Sequence, residues 1–266
     1  VGFGDEIMGS GLARGAKLRG EKVAFGARGR IMWSKYAAPI YLNNLNVARP
    51  GEEFKNAALK WVAHYPGNRA YNRLDHTGTR WIWNYDFKAQ PGEIFLSYSE
   101  QRAAEAVIPK GVVLIEPNVP MWKKVAINKL WRGYQEVANR LTKRGIDVIQ
   151  FDYPGIENRL RGVRFVKTPS IRIGLAYLSR ISLYIGPEGG LHHGAAAFNI
   201  PAVVLFGGFI PPAVTGYQTH ANLTGGTEAC GSIFRCMHCE IAMKRIKTDE
   251  VMSHAYRLMN YEACSV

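Results

Sequence analysis

The clearest alternation of apolar and polar positions lies in the second half of the chain. Residues 111–115, 147–151, 181–185 and 202–206 are short apolar runs bounded by turn residues, the pattern of fully buried strands. Helical spacing falls between them. Leu130, Tyr134, Val137, Ala138 and Leu141 predict a helix capped by Asn128 and ending near Gly145. Residues 170–180, despite Gly174, and residues 191–198, stopped by Pro201, predict two more. Strands alternating with helices through short links mean a parallel sheet covered on both faces. Ile241, Met243, Ile246, Val251, Tyr256 and Leu258 predict a last helix over 240–260.

The first half is less regular. Residues 2–18 read as a glycine turn feeding a helix, with Asp5 and Glu6 in a first turn that favours negative charge. Val1 stands directly at this turn, so the strand expected ahead of it is missing or very short. Residues 22–25 and 94–98 predict strands, 31–60 an irregular stretch, and 99–107 a short helix capped by Ser99. Between them Trp61, Tyr65, Tyr71, Trp81, Trp83, Tyr85 and Phe87 interleave with Arg69, Arg73, Arg80 and Lys88. Such a mixture binds sugars or stacked bases, or else forms a small aromatic core with a basic rim. A composition shift near 108–111 divides the chain into lobes at 1–109 and 110–250, with 251–266 as a terminal helix and tail.

Charge narrows the partners. The net charge of +13 favours anionic ones: nucleic acid, phosphorylated glycolipid or a membrane surface, against the plainer reading of a basic solvated face. A hydrophobic share of 47% with 21% charged excludes a disordered chain. No apolar run reaches the roughly 18 residues of a membrane helix, and residues 1–25 lack a signal-peptide core. A cytoplasmic location is the default expectation. Cys230, Cys236, Cys239 and Cys264 all lie near the C-terminal end, so they do not staple the whole fold. Cys230-x5-Cys236-x2-Cys239, with His238 and His220 nearby, offers ligands for zinc; a disulfide and free thiols are the rival readings.

Two glycine-turn-helix units carry the main chemical signal. One is Gly2-Phe-Gly4-Asp5. The other runs from Tyr184 to Gly208, where Gly186, Gly189 and Gly190 precede a helix. A glycine turn at a helix N-terminus brings backbone N–H groups to an anion, although glycine also serves packing alone. Ligands of open α/β sheets bind beyond the carboxyl ends of the strands. Facing lobes would set the two turns across one cleft, one to hold phosphate and one to supply a carboxylate.

Gly186-Pro-Glu-Gly-Gly-Leu-His-His-Gly-Ala-Ala-Ala197, followed by Ile200-Pro-Ala-Val-Val-Leu-Phe-Gly207, resembles the nucleotide-sugar motif of the heptosyltransferase-like glycosyltransferases, family 9. That motif runs Asp-Ser/Thr-Gly-x-x-His, then Ala-Ala, then a proline-marked strand ending Phe-Gly. Gly4-Asp5 resembles the family's N-terminal Gly-Asp. Lys124, followed by Asn128 and Trp131, resembles its Lys-x-Trp-Pro helix start, with Ala126-Ile127 in place of Trp-Pro. Ile115-Glu-Pro-Asn118 is similar to its His-Pro-Gly, and Cys236-x-x-Cys239 with Lys247-Thr-Asp-Glu-Val251 to its Cys-rich segment and final helix. The resemblance covers residues 2–20 and most of 111–260, and leaves out 30–108.

The resemblance implies an α/β protein of two Rossmann-like lobes facing a cleft, the GT-B fold, with a small N-terminal lobe. It implies an inverting, metal-independent transfer from a nucleoside-diphosphate sugar to a hydroxyl, with no cofactor. Asp5 would be the general base, with Glu6 as rival and helix capping as the plainer role. Lys124, or Lys123 by equal chemistry, would neutralise the diphosphate. Gly189, Gly190 and His193 would cradle it by electrostatic stabilisation; His192 competes with His193, and either imidazole could simply be a core residue. Gly4, Asn118 and Glu188 would join the donor site, with Thr168, Ser170 and Ile171 beside the nucleotide base. Glu188 stands where the family has Asp and Gly189 where it has Ser or Thr, which leaves the donor open.

Trp61, Tyr65, Arg69, Arg73, Arg80, Trp81 and Trp83 would take the acceptor. The charge favours a hydroxymethylated DNA base, flipped from the duplex, slightly over lipopolysaccharide or another glycan. Two further readings are a non-catalytic nucleic-acid- or nucleotide-binding protein on the same scaffold, and a nucleotide-sugar epimerase.

Overall fold

A computed structural model describes residues 1–55, 58–119 and 124–260. The first lobe opens with α1 (Phe3–Lys17), which turns Ile7, Ala13 and Ala16 inward. β1 (Lys22–Ala27), β2 (Arg30–Ile31), α2 (Ala37–Ile40) and β3 (Leu59–Val62) follow. β1 is the middle strand of three, parallel to β3 and antiparallel to β2, and its Val23, Ala24 and Phe25 are buried. The aromatic and basic stretch folds as an antiparallel meander of short strands: β4 (His64–Tyr65), β5 (Asn68–Arg69), β6 (Asn72–Leu74) and β7 (Trp81–Trp83).

α3 (Tyr98–Val107) closes this half. Its cap is Ser97, two residues ahead of the predicted cap Ser99. Ser97 accepts from the Glu100 amide at 3.2 Å, and the Glu100 carboxylate accepts from the Ser97 amide at 2.7 Å. That reciprocal pair fixes the helix start, so the strand predicted over 94–98 does not form.

The second lobe contains β8 (Val113–Ile115), α4 (Tyr134–Lys143), β9 (Val148–Asp152), β10 (Arg164–Lys167), α5 (Ile171–Leu178), β11 (Leu183–Pro187), α6 (Gly190–Ala197), β12 (Ala202–Leu205), α7 (Pro212–Thr215), β13 (His220–Leu223), α8 (Met237–Arg245) and α9 (Thr248–Leu258). All six strands are parallel, in the order β10-β9-β8-β11-β12-β13. The chain starts at β8, winds out to β10, then returns to β11 on the other side. The carboxyl ends of β8 and β11 therefore flank a topological switch point, where ligands of such sheets bind.

Side chains alternate across this sheet. Leu114, Ile149, Phe151, Tyr184 and Val204 join a core that also holds Ile7, Phe25 and Tyr41, so one hydrophobic core spans both lobes. Val113, Ile115, Val148, Leu183 and Val203 face the opposite side, beneath Val137 and Leu141 of α4 and Val251 and Ala255 of α9. Arg172 of α5 stitches the lobes together: it pairs with Glu100 and donates to the carbonyls of Pro39 (3.1 Å) and Phe95 (2.8 Å).

Two predicted helices differ in their limits. The last one is two, because Ile246 and Lys247 adopt extended backbone between α8 and α9. Asn128 lies in a 3-10 turn, Lys124–Lys129, ahead of α4, and its amide is engaged elsewhere. No described helix is long and apolar enough to cross a membrane.

Candidate active site

The two glycine turns touch. A Cβ placed on Gly4 would lie 3.0 Å from His193 Cδ2, 3.2 Å from the Gly190 amide nitrogen and 3.3 Å from the Gly189 carbonyl carbon. Glycine at position 4 thus permits the N-terminus of α1 to approach that of α6. The two helix ends that favour negative charge meet at one point.

On the α6 side, β11 ends at Pro187 and delivers Glu188 into the interior, with only 8% of its side chain exposed. Its carboxylate pairs with the Lys129 ammonium, which also donates to the Glu188 carbonyl at 3.0 Å. The other carboxylate oxygen lies 3.1 Å from His193 Nε2, and His193 Nδ1 lies 2.9 Å from the Tyr217 hydroxyl. Burial would raise the Glu188 pKa, but Lys129 and His193 outweigh it and hold this carboxyl well below the usual carboxylate range. His192 lies beside this network but shares no hydrogen bond with it among the described residues. It is fully buried against Phe206, Tyr217 and His220, with neither ring nitrogen paired, and burial pushes its pKa far down, so it is neutral.

On the α1 side, Asp5 sits in the first turn and accepts from the Gly2 amide at 2.5 Å. Tyr71 donates its hydroxyl to one Asp5 oxygen, and Arg69 Nε lies 3.6 Å from the other. Arg69 also stacks on Trp81, 4.5 Å from the ring centroid. Burial raises the Asp5 pKa, and Arg69 and Tyr71 more than offset it, so Asp5 is a carboxylate. Its side chain keeps 23% of its surface exposed. Glu6, the rival base, is 1% exposed and enclosed by Ser34, Tyr41 and His64, which ties it to the interior of the first lobe.

The other predicted donor residues fall beyond the carboxyl ends of β8 and β10. Asn118 links the first of these ends to the loop after β9. It donates to Glu116 (2.7 Å) and to the Asn158 carbonyl (3.1 Å), and it accepts from the Glu157 and Asn158 amides. Thr168 donates to the Asp152 carbonyl, and Ser170 caps α5 ahead of Ile171. Lys123 and the Lys124 side chain lie outside the described residues. The cation at the turn is Lys129, which the sequence reading missed. Its signal was available, because Lys129-Leu-Trp131 has the Lys-x-Trp spacing.

The predicted acceptor residues do not share one face. Trp61 is on β3, whereas Tyr65, Arg69, Arg73, Trp81 and Trp83 are on the meander and Arg80 adjoins it. Arg73 and Arg80 are exposed. Arg69 is engaged with Asp5, and Trp83 packs edge-on against Phe209 of the second lobe, ring centroids 6.2 Å apart. A cavity of about 420 Å³ lined by Lys22, Asn44 and Arg49 lies by the amino end of β1, near the far end of α1 from Asp5. A helix of that length separates its ends by about 22 Å.

Structures of known proteins share this architecture. TibC, an iron-containing dodecameric glycosyltransferase from enterotoxigenic E. coli H10407, matches with a TM-score of 0.55 at 17% identity over 80% of this chain and 63% of TibC. A glycosyl transferase of family 9 from Veillonella parvula DSM 2008 matches at 0.52 and 13% identity, over 96% of this chain and 79% of that one. The fold is that of the heptosyltransferase-like glycosyltransferases. E. coli ADP-heptose lps heptosyltransferase II also matches, at 0.45 and 17% identity, over 68% of this chain. The chain spans 55% and 63% of the lengths of the E. coli heptosyltransferase and TibC. No protein-family model matches the sequence, and no curated protein does.

The expectation of no cofactor is corrected by two findings. TibC, which shares the heptosyltransferase-like fold, is iron-containing, and the described residues of this chain gather two sets of three metal-capable donors, each within 4.8 Å. The two sets differ in fitness. Glu188, His192 and His193 form the first, but Lys129 already occupies the Glu188 carboxylate and Tyr217 a His193 nitrogen. A cation there would face a buried ammonium. Cys230, Cys236 and Cys239 form the second, all free thiols, with Cys230 Sγ 3.2 Å from Cys239 Sγ and 3.9 Å from Cys236 Sγ. Thiolates bound tetrahedrally at about 2.3 Å to one ion stand about 3.7 Å apart, which these separations bracket. The Cys239 thiol hydrogen-bonds to Cys230, which lowers the Cys230 pKa and raises that of Cys239, so the pair shares a proton that a bound metal would displace.

Proposed function

We propose that this protein transfers a sugar from a nucleoside-diphosphate sugar to a hydroxyl of an anionic acceptor. The observation that carries the reading is the meeting of two unlike helix ends at Gly4 and Gly190: one brings a partly exposed carboxylate, Asp5, and the other a lysine, Lys129, at a glycine turn. An inverting transfer needs both. A carboxylate takes the proton from the acceptor hydroxyl as oxygen attacks the anomeric carbon. Backbone amides and a cation stabilise the negative charge that develops on the departing diphosphate.

In this reading the Gly189 and Gly190 turn receives the diphosphate, with Lys129 beside it. Glu188 holds Lys129 and His193 in place and is itself too enclosed to act as base. Asp5 deprotonates the acceptor, held by Tyr71 and Arg69. The nucleoside lies toward Asn118, Thr168, Ser170 and Ile171, along the carboxyl ends of β8 to β10. The exposed Arg73 and Arg80, with the charge of +13, favour a polyanionic acceptor. A metal ion would be held by Cys230, Cys236 and Cys239, where bound thiolates would fix the loop.

The test is mass spectrometry of acceptors after incubation with mixed nucleotide sugars. Hydroxymethylated DNA and a lipopolysaccharide core are offered side by side. A mass increase of one sugar on either supports the transfer, and the acceptor that gains it is identified. Donors that stay intact with every acceptor, while nucleotide or DNA still binds, would overturn the reading in favour of a binding module.

A further inference from the structure

The three cysteines sit where the lobes are joined by backbone hydrogen bonds. Cys230 and Gly231 donate to the carbonyls of Gly208 and Phe209 in the second lobe, at 2.9 and 3.2 Å. The next residues add an edge to the meander of the first lobe. The Trp81 amide donates to the Gly231 carbonyl at 2.9 Å, the Ile233 amide to the Thr79 carbonyl at 3.1 Å, and Arg80 bridges Ser232 antiparallel. The approach is close: a Cβ on Gly231, whose φ is +67°, would fall 2.3 Å from the Trp81 carbonyl oxygen. Asn128 clamps the loop from behind, donating to the Ser232 and Phe234 carbonyls and accepting from the Cys236 amide.

From Trp81 the contacts lead to Asp5. The Trp81 ring carries the Arg69 guanidinium, Arg69 lies against one Asp5 oxygen, and Tyr71, in the turn between β5 and β6, binds the other. The three-thiol cluster is therefore linked to the carboxylate through Gly231, the neighbour of Cys230, then Trp81, then Arg69. Cys230 begins the loop, while Cys236 and Cys239 end it at the start of α8. Joining those sulfurs closes the loop into a ring and fixes the edge that Trp81 binds.

We propose that Cys230, Cys236 and Cys239 bind one thiophilic transition-metal ion, iron or zinc, and that this thiolate latch holds the meander so that Arg69 and Tyr71 position Asp5. Binding releases the thiol protons to solvent, and the ion keeps its oxidation state. The latch makes Arg69 and Tyr71 positioning residues. The link to Asp5 rests on the transfer reading, whereas the metal site and its effect on the meander do not.

The experiment takes the full chain as purified, without added metal. Elemental analysis should give about one iron or zinc per chain, and it separates the two. Less than about 0.1 of either overturns the proposal. Chelation should then raise hydrogen exchange at the Trp81 and Ile233 amides by about tenfold or more, the signature of local opening. Unchanged exchange at both amides after metal loss overturns the latch. Cys239 is fully buried, so Cys239→Ser may fail to fold; the half-buried Cys236→Ser is the second variant. It should fold, lose metal and show the same faster exchange, and full metal retention in it would count against the site. In the intact enzyme, metal loss should also move the acid limb of the transfer rate. A chain with metal, protected amides and no transferase activity would sink the transfer reading and leave the metal site standing.

Discussion

The N-termini of α1 and α6 are built from the same parts and differ in one respect. Each presents a carboxylate next to a glycine, and each carboxylate has a tyrosine and a cation near it. Asp5 has Tyr71 and Arg69; Glu188 has Lys129 and, through His193, Tyr217. Exposure separates them. Asp5 keeps 23% of its side-chain surface, and Glu188 keeps 8%. A carboxylate that reaches solvent can exchange a proton with an acceptor. One enclosed by a lysine and a histidine can only orient them. Within the proposed transfer, this difference favours the first lobe for the base and the second for the electrostatic cradle.

The largest effect should come from breaking the enclosed pair. Lys129→Met leaves Glu188 ionised without its cation in a buried position. Removing one partner of a buried ion pair costs about 3–5 kcal/mol. Urea unfolding at neutral pH should show that loss, and Lys129→Met with Glu188→Gln should recover most of it. A loss below about 1 kcal/mol would mean the pair behaves as a surface one, and the contrast between the two turns would fall.

A third carboxyl, Glu116 just after β8, pairs with no cation among the described residues and sharpens the contrast. One of its oxygens accepts from the Asn118 amide and side chain, and the other has no hydrogen bond among the described residues. Burial pushes its pKa up to about 7 from 4.5. A raised acid binds its proton more tightly folded than unfolded. Its stabilising contribution is thus full below the unfolded value of 4.5 and is lost as pH rises through about 7. Asp5 and Glu188, with depressed values, behave oppositely: their contribution is present above the ordinary carboxylate range and is lost as pH falls through their folded values. Glu116→Gln should therefore be stabilising at pH 8 by up to about 3 kcal/mol and near neutral at pH 4. Denaturation midpoints at the two pH values measure this, and equal effects at both would contradict it.

Asp5→Asn tests the exposed turn directly. The amide keeps the shape and the Tyr71 contact but cannot accept the acceptor's proton. Transfer should fall by about 100-fold or more, while donor binding is kept. Steady-state rates with donor affinity measured separately decide it, and unchanged turnover would remove Asp5 from the reaction.

The two turns were also unequally legible in the sequence. The α6 turn lies inside β11-α6-β12, where apolar runs, glycines and Pro201 punctuate a parallel unit, so its elements stand within a residue or two of prediction. Its cation was missed because Asn128 reads as a helix cap. In the structure the Asn128 amide spans to Ser232 and Phe234, over 100 residues away, and α4 starts after Gly133. At the α1 turn, Asp5 was legible from its glycines, but its partners were not. Tyr71 is 66 positions away, in a turn between strands of two and three residues, too short for a period to register. Local pattern finds elements of regular length; contacts made by a short meander depend on tertiary pairing alone. Arg69 was accordingly assigned to the acceptor, while in the structure it lies against the Asp5 carboxylate.

That reassignment gives the smallest of the expected effects. Arg69→Gln takes the guanidinium from Asp5 and leaves Tyr71 in place. An arginine beside a carboxylate lowers its pKa by about 1–3 units, so its loss should raise the Asp5 value. The base works only when ionised, so the acid limb of kcat/KM should move to higher pH by about one unit. The rate well above that limb should change little. If Arg69 instead grips an anionic acceptor, the variant would raise KM at every pH and leave the limb where it was. A pH profile of kcat and KM separates the two. Only the first outcome keeps Arg69 with the exposed carboxylate, as Lys129 is with the enclosed one.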